Sequence, residues 1–136
     1  MSEAILQVDG LSVDIATPRG PLHAVRELSF TVEKGKTLCL VGESGCGKSM
    51  TSLAIMDLLP KAAKKSAKRL SFAGEDLAKA GAKRINALRG DRMAMIFQEP
   101  MTALNPAYTI GDQMTEAYKL HRKASEAEAR ERAILL

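Results

Sequence analysis

Residues 37–59 read TLCLVGESGCGKSMTSLAIMDLL, and this stretch decides the fold class. Residues 37–41 form a short, unbroken apolar run, the pattern of a strand buried on both faces. Residues 42–49, GESGCGKS, follow as a glycine-rich turn and match G-x-x-x-x-G-K-[ST], the Walker A pattern. Residues 48–59 then carry a helical pattern that stops at Pro60. Strand, glycine loop and helix in that order predict an α/β fold of the P-loop NTPase kind, with a β-rich N-terminal part before it.

Each fixed position in the loop has a chemical reason. A triphosphate needs several N–H donors converging on its oxygens, and a loop supplies them only where backbone approaches without Cβ clashes. Gly42, Gly45 and Gly47 permit that approach. The first turn of the helix adds unpaired amides and the positive end of its dipole. Lys48 supplies a mobile charge for the β and γ phosphates, and the Ser49 hydroxyl is a ligand for Mg²⁺. Glu43, Ser44 and Cys46 complete the loop and are expected against the same nucleotide. Cys46 reads either as a small residue that fits or as a thiol activated by the helix N-terminus and Lys48.

Outward from the loop, residues 4–15 alternate as a strand with a turn or bulge at Gly10, and residues 16–24, with two Pro, predict a loop. Residues 25–32 predict a half-buried strand and residues 33–36 a turn. Beyond Pro60, the basic residues 61–69 lack an apolar stripe and predict an exposed connection. A short strand at 70–72, a helix at 82–88 and a second buried strand at 93–97 (MAMIF) follow. Residues 111–121 and 125–136 predict two helices, the second opened by a Ser125/Glu128 capping box.

Composition supports a globular protein. The 136 residues carry 20 Lys plus Arg and 16 Asp plus Glu, with apolar residues at 46%. That content excludes a disordered tail, and two cysteines exclude a disulfide scaffold and suit a reduced, cytosolic protein. No apolar run is long enough to span a bilayer, and the N-terminus lacks the basic and apolar regions of a secretory signal. Residues 61–92 hold ten Lys or Arg against three Asp or Glu, but residues 61–69 have no interleaved aromatics for stacking bases. A solvated surface is expected there, not a nucleic-acid partner. His23 and His121 lack metal-ligand spacing, and Tyr108, Met114 and Tyr118 read as packing positions.

The MAMIF run ends in Gln98, where many phosphate-loop proteins place a magnesium-holding Asp. Without such an Asp before it, Glu99 makes a poor general base. A Gln about fifty residues beyond the lysine instead resembles the Q-loop of ABC-transporter ATPases. LVGESGCGKS at 40–49 and AMIFQEPMTALNP at 94–106 resemble the oligopeptide/dipeptide importer branch of that family, and AVRELSFTVEKGK at 24–36 and RINALRG at 84–90 are similar to its flanking segments.

That resemblance implies that Gly42 to Ser49 bind the phosphates of ATP and Mg²⁺, and that Gln98 contacts the metal or the attacking water and couples nucleotide state to transmembrane permease subunits. It implies a dimer with a second ATP-binding subunit and a place on the cytoplasmic face of the cell membrane. It divides the chain at about residue 107, between a RecA-like β core (1–107) and the start of a helical subdomain (108–136). Two departures carry expectations of their own. No Phe, Tyr or Trp stands between Leu11 and Ser29, so Ile15, with His23 a weaker candidate, is expected at the adenine base. The signature motif, the Walker B strand and the switch His that follow in the family do not occur in these 136 residues. A truncated, N-terminal portion is therefore expected, one that binds ATP without turning it over alone and folds marginally. The rival readings are another phosphate-loop enzyme, such as a kinase or GTPase, and a non-enzymatic nucleotide-binding fragment.

Overall fold

A computed structural model describes residues 3–99 and 103–136. The chain divides into two compact units, one running to Ile85 and the other covering Asn86–Leu136.

The first unit is built on a long hairpin. β1 (Ala4–Thr17) and β2 (Gly20–Glu33) pair antiparallel along nearly their whole lengths. Residues 16–24, expected as a loop, mostly belong to these strands; only Pro18 and Arg19 turn. The Thr17 hydroxyl donates to the Gly20 carbonyl at 2.6 Å and closes the turn. Pro21 sits opposite Ala16, which a proline without an N–H tolerates because β2 is an edge strand.

The expected irregularity at Gly10 is present and has a packing consequence. Gly10 has φ 61°, and the register slips between the Val8/Phe30 and Leu11/Leu28 pairs. Side chains alternate along a strand with a period of two, so one extra residue inverts the phase. Val8 therefore shares its face with Leu11 and Val13, and all three are buried. A second slip at Arg26 and Glu27 restores β2, where Glu27 takes φ 44° and donates its N–H to Ser12 Oγ at 3.0 Å.

The other edge of β1 is shared by two short strands laid end to end. β3 (Ala63–Ser66) pairs with Ser12 to Ile15, and β4 (Arg69–Phe72) pairs with Leu6 to Asp9. β5 (Glu75–Asp76) extends the sheet from β4. The basic tract is therefore a strand over half its length. Its expectation as a bare connection fails because β1 offers a free edge and Ala63 and Lys65 alternate inward. Helix α1 (Lys48–Ile55) covers the sheet with Thr51 and Ala54 buried. It stops four residues short of the expected end because Asp57 adopts a left-handed conformation, φ 56°, and the Leu58 N–H reaches the Leu53 carbonyl at 2.8 Å.

Two expected strands are not formed. Residues 37–41 carry no regular structure, and Val41 is 95% exposed. In residues 93–97 only Met93 makes a bridge, to Arg89, while Ile96 is 98% exposed. An apolar run becomes a buried strand only where neighbours take up its N–H and C=O groups. Among the described residues nothing pairs with either run along its length.

Helix α2 (Ala82–Leu88) forms where expected and buries Ile85 and Leu88. In the second unit, α3 (Ile110–Arg122) and α4 (Glu126–Ile134) pack together. Thr109 caps α3 by accepting from the Asp112 N–H at 3.1 Å. The Ser125/Glu128 box caps α4 with both reciprocal bonds present. Gln113 holds the segment before α3, receiving the Asn105 N–H at 2.9 Å and donating to the Asn105 and Tyr108 carbonyls at 3.0 and 3.1 Å.

Candidate functional site

The phosphate loop has formed although no strand leads into it. Gly47 is the N-cap of α1, with φ 92° and ψ 3°, and no side chain caps the helix. At this position Ser, Thr, Asp or Asn would satisfy the amides of the first turn itself. A glycine leaves the N–H groups of Lys48, Ser49 and Met50 without helical acceptors and directed away from the helix. Thr51 is the first residue to close the ladder, its N–H reaching the Gly47 carbonyl at 2.8 Å and its hydroxyl the same oxygen at 3.0 Å. No acidic residue stands in the first turn of α1 to compete with an anion.

Space also bears on two glycines, fixing Gly47 against main chain and crowding Gly42 against the movable tip of an exposed cysteine. A Cβ on Gly47 would lie 2.3 Å from the Ala24 carbonyl oxygen and 3.1 Å from Val25 Cγ2. The loop therefore rests directly on the backbone of β2, at a point where the β1–β2 register slips. A Cβ on Gly42 would lie 2.4 Å from Cys46 Sγ. Gly45 has φ 83° with open space around it, so conformation alone selects glycine there.

Lys48 folds back over its own loop. Its ammonium donates to the Gly42 carbonyl at 2.6 Å, the Glu43 carbonyl at 2.7 Å and Cys46 Sγ at 3.3 Å. An ammonium has three protons, and these three acceptors engage them all. All three acceptors are uncharged groups on a surface loop, and a phosphate oxygen is a stronger, charged competitor. The donor set is what a polyphosphate requires: free first-turn amides, a helix N-terminus and a lysine in one eight-residue turn. Glu43, Ser44 and Cys46 are exposed, and Ser49 presents an exposed hydroxyl in the first turn of α1.

The remaining candidates are placed as follows. Ile15 lies in β1, half-buried between Leu22 of β2 and Ala63 of β3. His23 is bound through Nδ1 to Asp14 Oδ1 at 2.5 Å, which engages the weaker candidate in an exposed pair. Gln98 belongs to the second unit and is exposed, as is Glu99. Pro100, Met101 and Thr102, within the 94–106 motif, lie outside the described residues. Two supports of the loop escaped the sequence reading. Ala24 and Val25 back Gly47 through main chain and an ordinary core side chain, which leave no sequence signal. Lys65 donates to the Ala54 carbonyl at the end of α1 at 2.9 Å, and its only signal is a lysine at an inward position of β3.

Residues 25–135 match the family model described as ABC transporter, a span that takes in the phosphate loop, Gln98 and both C-terminal helices. The chain belongs to the ABC transporter family. Its core is accordingly that of a P-loop NTPase. It is 47% identical over 133 residues to the dipeptide transport ATP-binding protein DppD of Bacillus subtilis (strain 168), covering 97% of this chain and 40% of that protein. Identity to the DppD of Escherichia coli (strain K12) is 45% over 131 residues, covering 96% of this chain and 40% of the relative. The glutathione import ATP-binding protein GsiA of Escherichia coli (strain K12) is 44% identical over 131 residues, 92% of this chain and 21% of its own length. The chain thus spans about two-fifths of the dipeptide-transport relatives. As an ABC-family chain it presents, among the described residues, no helix long and apolar enough to cross a membrane.

Proposed function

We propose that this chain binds ATP with Mg²⁺ through Gly42, Glu43, Ser44, Gly45, Cys46, Gly47, Lys48 and Ser49, as part of the ATP-binding component of an importer for dipeptides or short peptides. The observation that carries the reading is the N-terminus of α1: Gly47 leaves the first-turn amides uncapped, and Lys48 sits in the same turn. Lys48 leaves the Gly42 and Glu43 carbonyls for the β and γ phosphate oxygens, while the amides of residues 47–50 hold those phosphates in line. The Ser49 hydroxyl would hold Mg²⁺, which when bound neutralises charge on the phosphates, and the family resemblance assigns Gln98 a metal-contacting role. Ile15 offers an apolar contact for the adenine base in place of a stacked ring.

In the whole protein the chain is an ATPase whose Gln98 couples nucleotide state to transmembrane permease subunits, working as a pair with a second ATP-binding subunit at the cytoplasmic face of the membrane. Nucleic acid is not a partner. By the family resemblance, residues 1 to about 107 belong to the β core and about 108–136 to the start of the helical subdomain, a division other than that of the two compact units. The relatives named above support the peptide cargo, and the family match supports the ATP site. Titration calorimetry with Mg·ATP tests the reading: saturable binding is expected in the unaltered chain and a severe loss in Lys48→Ala, with circular dichroism unchanged. No saturable heat from folded, unaltered protein overturns it.

A further inference from the structure

The helix that delivers the phosphate amides is held at its far end by a side chain from another element. β3 alternates, with Ala63 and Lys65 turned inward and Lys64 and Ser66 exposed. An inward position on a half-buried strand ordinarily takes an apolar residue, because burying an ammonium costs desolvation. Lys65 nonetheless stands there with its side chain only 23% exposed. Its ammonium donates to the Ala54 carbonyl at 2.9 Å and pairs with Asp57 Oδ1 at 2.7 Å. Ala54 is fully buried in the last turn of α1, and Asp57 is the left-handed residue that ends the helix.

The last carbonyls of a helix lack internal partners and form the negative end of its dipole. α1 has no basic residue in its own last turn, so Lys65 supplies that charge from β3. Lys65 is itself fixed by its register opposite Val13 of β1. α1 is thus located at both ends: Gly47 rests on Ala24 of β2, and the Ala54–Asp57 end is tied through Lys65 to β1. An eight-residue helix is about 12 Å long, so a shift or tilt at one end is felt at the other.

We propose that Lys65 is a positioning residue for the nucleotide site, acting through α1 on the amides of residues 47–50. The inference rests on the proposed ATP-binding reading and adds a residue outside the family motif to it. A charge-matched neighbour makes the test sharp, because Lys64 is one residue away, equally cationic and turned outward. Titration calorimetry with Mg·ATP on the full chain compares the unaltered protein with Lys65→Met, Lys65→Arg, Lys64→Met and Asp57→Asn. Lys65→Met is expected to weaken binding about fivefold, the scale of one partly buried charge at a helix end. Lys65→Arg restores affinity to within about twofold, and Lys64→Met leaves it unchanged although it removes the same charge. Asp57→Asn gives an intermediate loss and decides the question if Lys65→Met does not fold. Affinity in Lys65→Met and Asp57→Asn equal to that of the unaltered protein, or a loss in Lys64→Met equal to that in Lys65→Met, overturns the inference while leaving ATP binding intact. Absence of Mg·ATP binding in the unaltered protein overturns both.

Discussion

Gly47→Ala is the substitution for which the structure gives the most definite outcome. Gly47 has φ 92°, and a side chain held in the left-handed region costs about 1–2 kcal/mol. The added Cβ would stand 2.3 Å from the Ala24 carbonyl oxygen, a main-chain atom that cannot rotate away. Relieving that contact moves the loop or β2 by about 1 Å, and overpacking of this kind costs a further 1–3 kcal/mol or so. The stability loss is therefore about 2–5 kcal/mol, a large part of the 5–15 kcal/mol or so that holds a domain together. The same displacement takes the first-turn amides off the phosphate oxygens. Losing one or two charge-assisted hydrogen bonds, at about 1.5–3 kcal/mol each, weakens Mg·ATP binding by about tenfold or more. Thermal melting and calorimetry on one preparation read both effects. Gly35→Ala is the control: φ is 74° but nothing lies within 4 Å of the new Cβ, so about 1 kcal/mol is lost and affinity is unchanged. If Gly47→Ala behaves like Gly35→Ala in both assays, the claim that β2 supports the loop is wrong.

Further outcomes follow from the end of α3, two hydrogen-bonded carboxylates and the exposed apolar runs. Lys123 ends α3 with φ 52°, so Lys123→Gly is expected to stabilise the protein by up to about 1 kcal/mol, seen as a higher melting midpoint. Hydrogen bonds from the Arg84 side chain, aided by its charge and opposed by desolvation, hold Glu75 below its ordinary value; those from the Ser125 hydroxyl and N–H do the same for Glu128. A lowered carboxylate stabilises the fold above its unfolded-state value and loses that contribution as pH falls through the folded-state one. A pH series should therefore show falling stability below about pH 4.5, and the decline should shrink in Glu75→Gln and Glu128→Gln. Val41 and Ile96 are almost fully exposed apolar residues, so the chain is expected to self-associate, and Val41→Lys and Ile96→Lys should reduce that in sedimentation velocity; association unchanged by the substitutions would show that these runs do not carry it.

How far the sequence reached depends on where each signal lies. The hairpin strands, the Gly10 irregularity and the Ser125 cap are local: alternation, a left-handed glycine and a three-residue spacing each act within a few residues. The phosphate loop was legible for the same reason, because its glycines, Lys48 and Ser49 work through their own backbone and the helix they open. The runs at 37–41 and 93–97 carry strand character in their side chains, but a strand needs partners, and composition alone does not supply them. The 61–69 tract failed the opposite way. Its lysines suggested a solvated connection, whereas the free edge of β1 made a strand of Ala63–Ser66 and turned Lys65 inward. The early stop of α1 at Ile55 was hidden because Asp57, not a glycine, takes the left-handed position.

The loop keeps its shape without a strand before it because its contacts run the other way along the chain. Its exit side is fixed: Gly47 lies on β2, Thr51 and Ala54 are buried, and Lys65 holds the end of α1. Its entry side is held by Lys48, whose ammonium gathers the Gly42 and Glu43 carbonyls, and by the Cys46 N–H, which donates to the Glu43 carbonyl at 3.3 Å. A phosphate that draws Lys48 away removes the larger part of that clasp and leaves the ligand to hold the entry side with the Cys46 bond. The amides of residues 47–50 depend on neither, so in the proposed ATP-binding reading they, with α1 behind them, are expected to contribute to affinity alongside Lys48 whether or not the entry side is ordered. The dependence of binding on Gly47 and Lys65 should therefore exceed its dependence on the apolar side chains of residues 37–41.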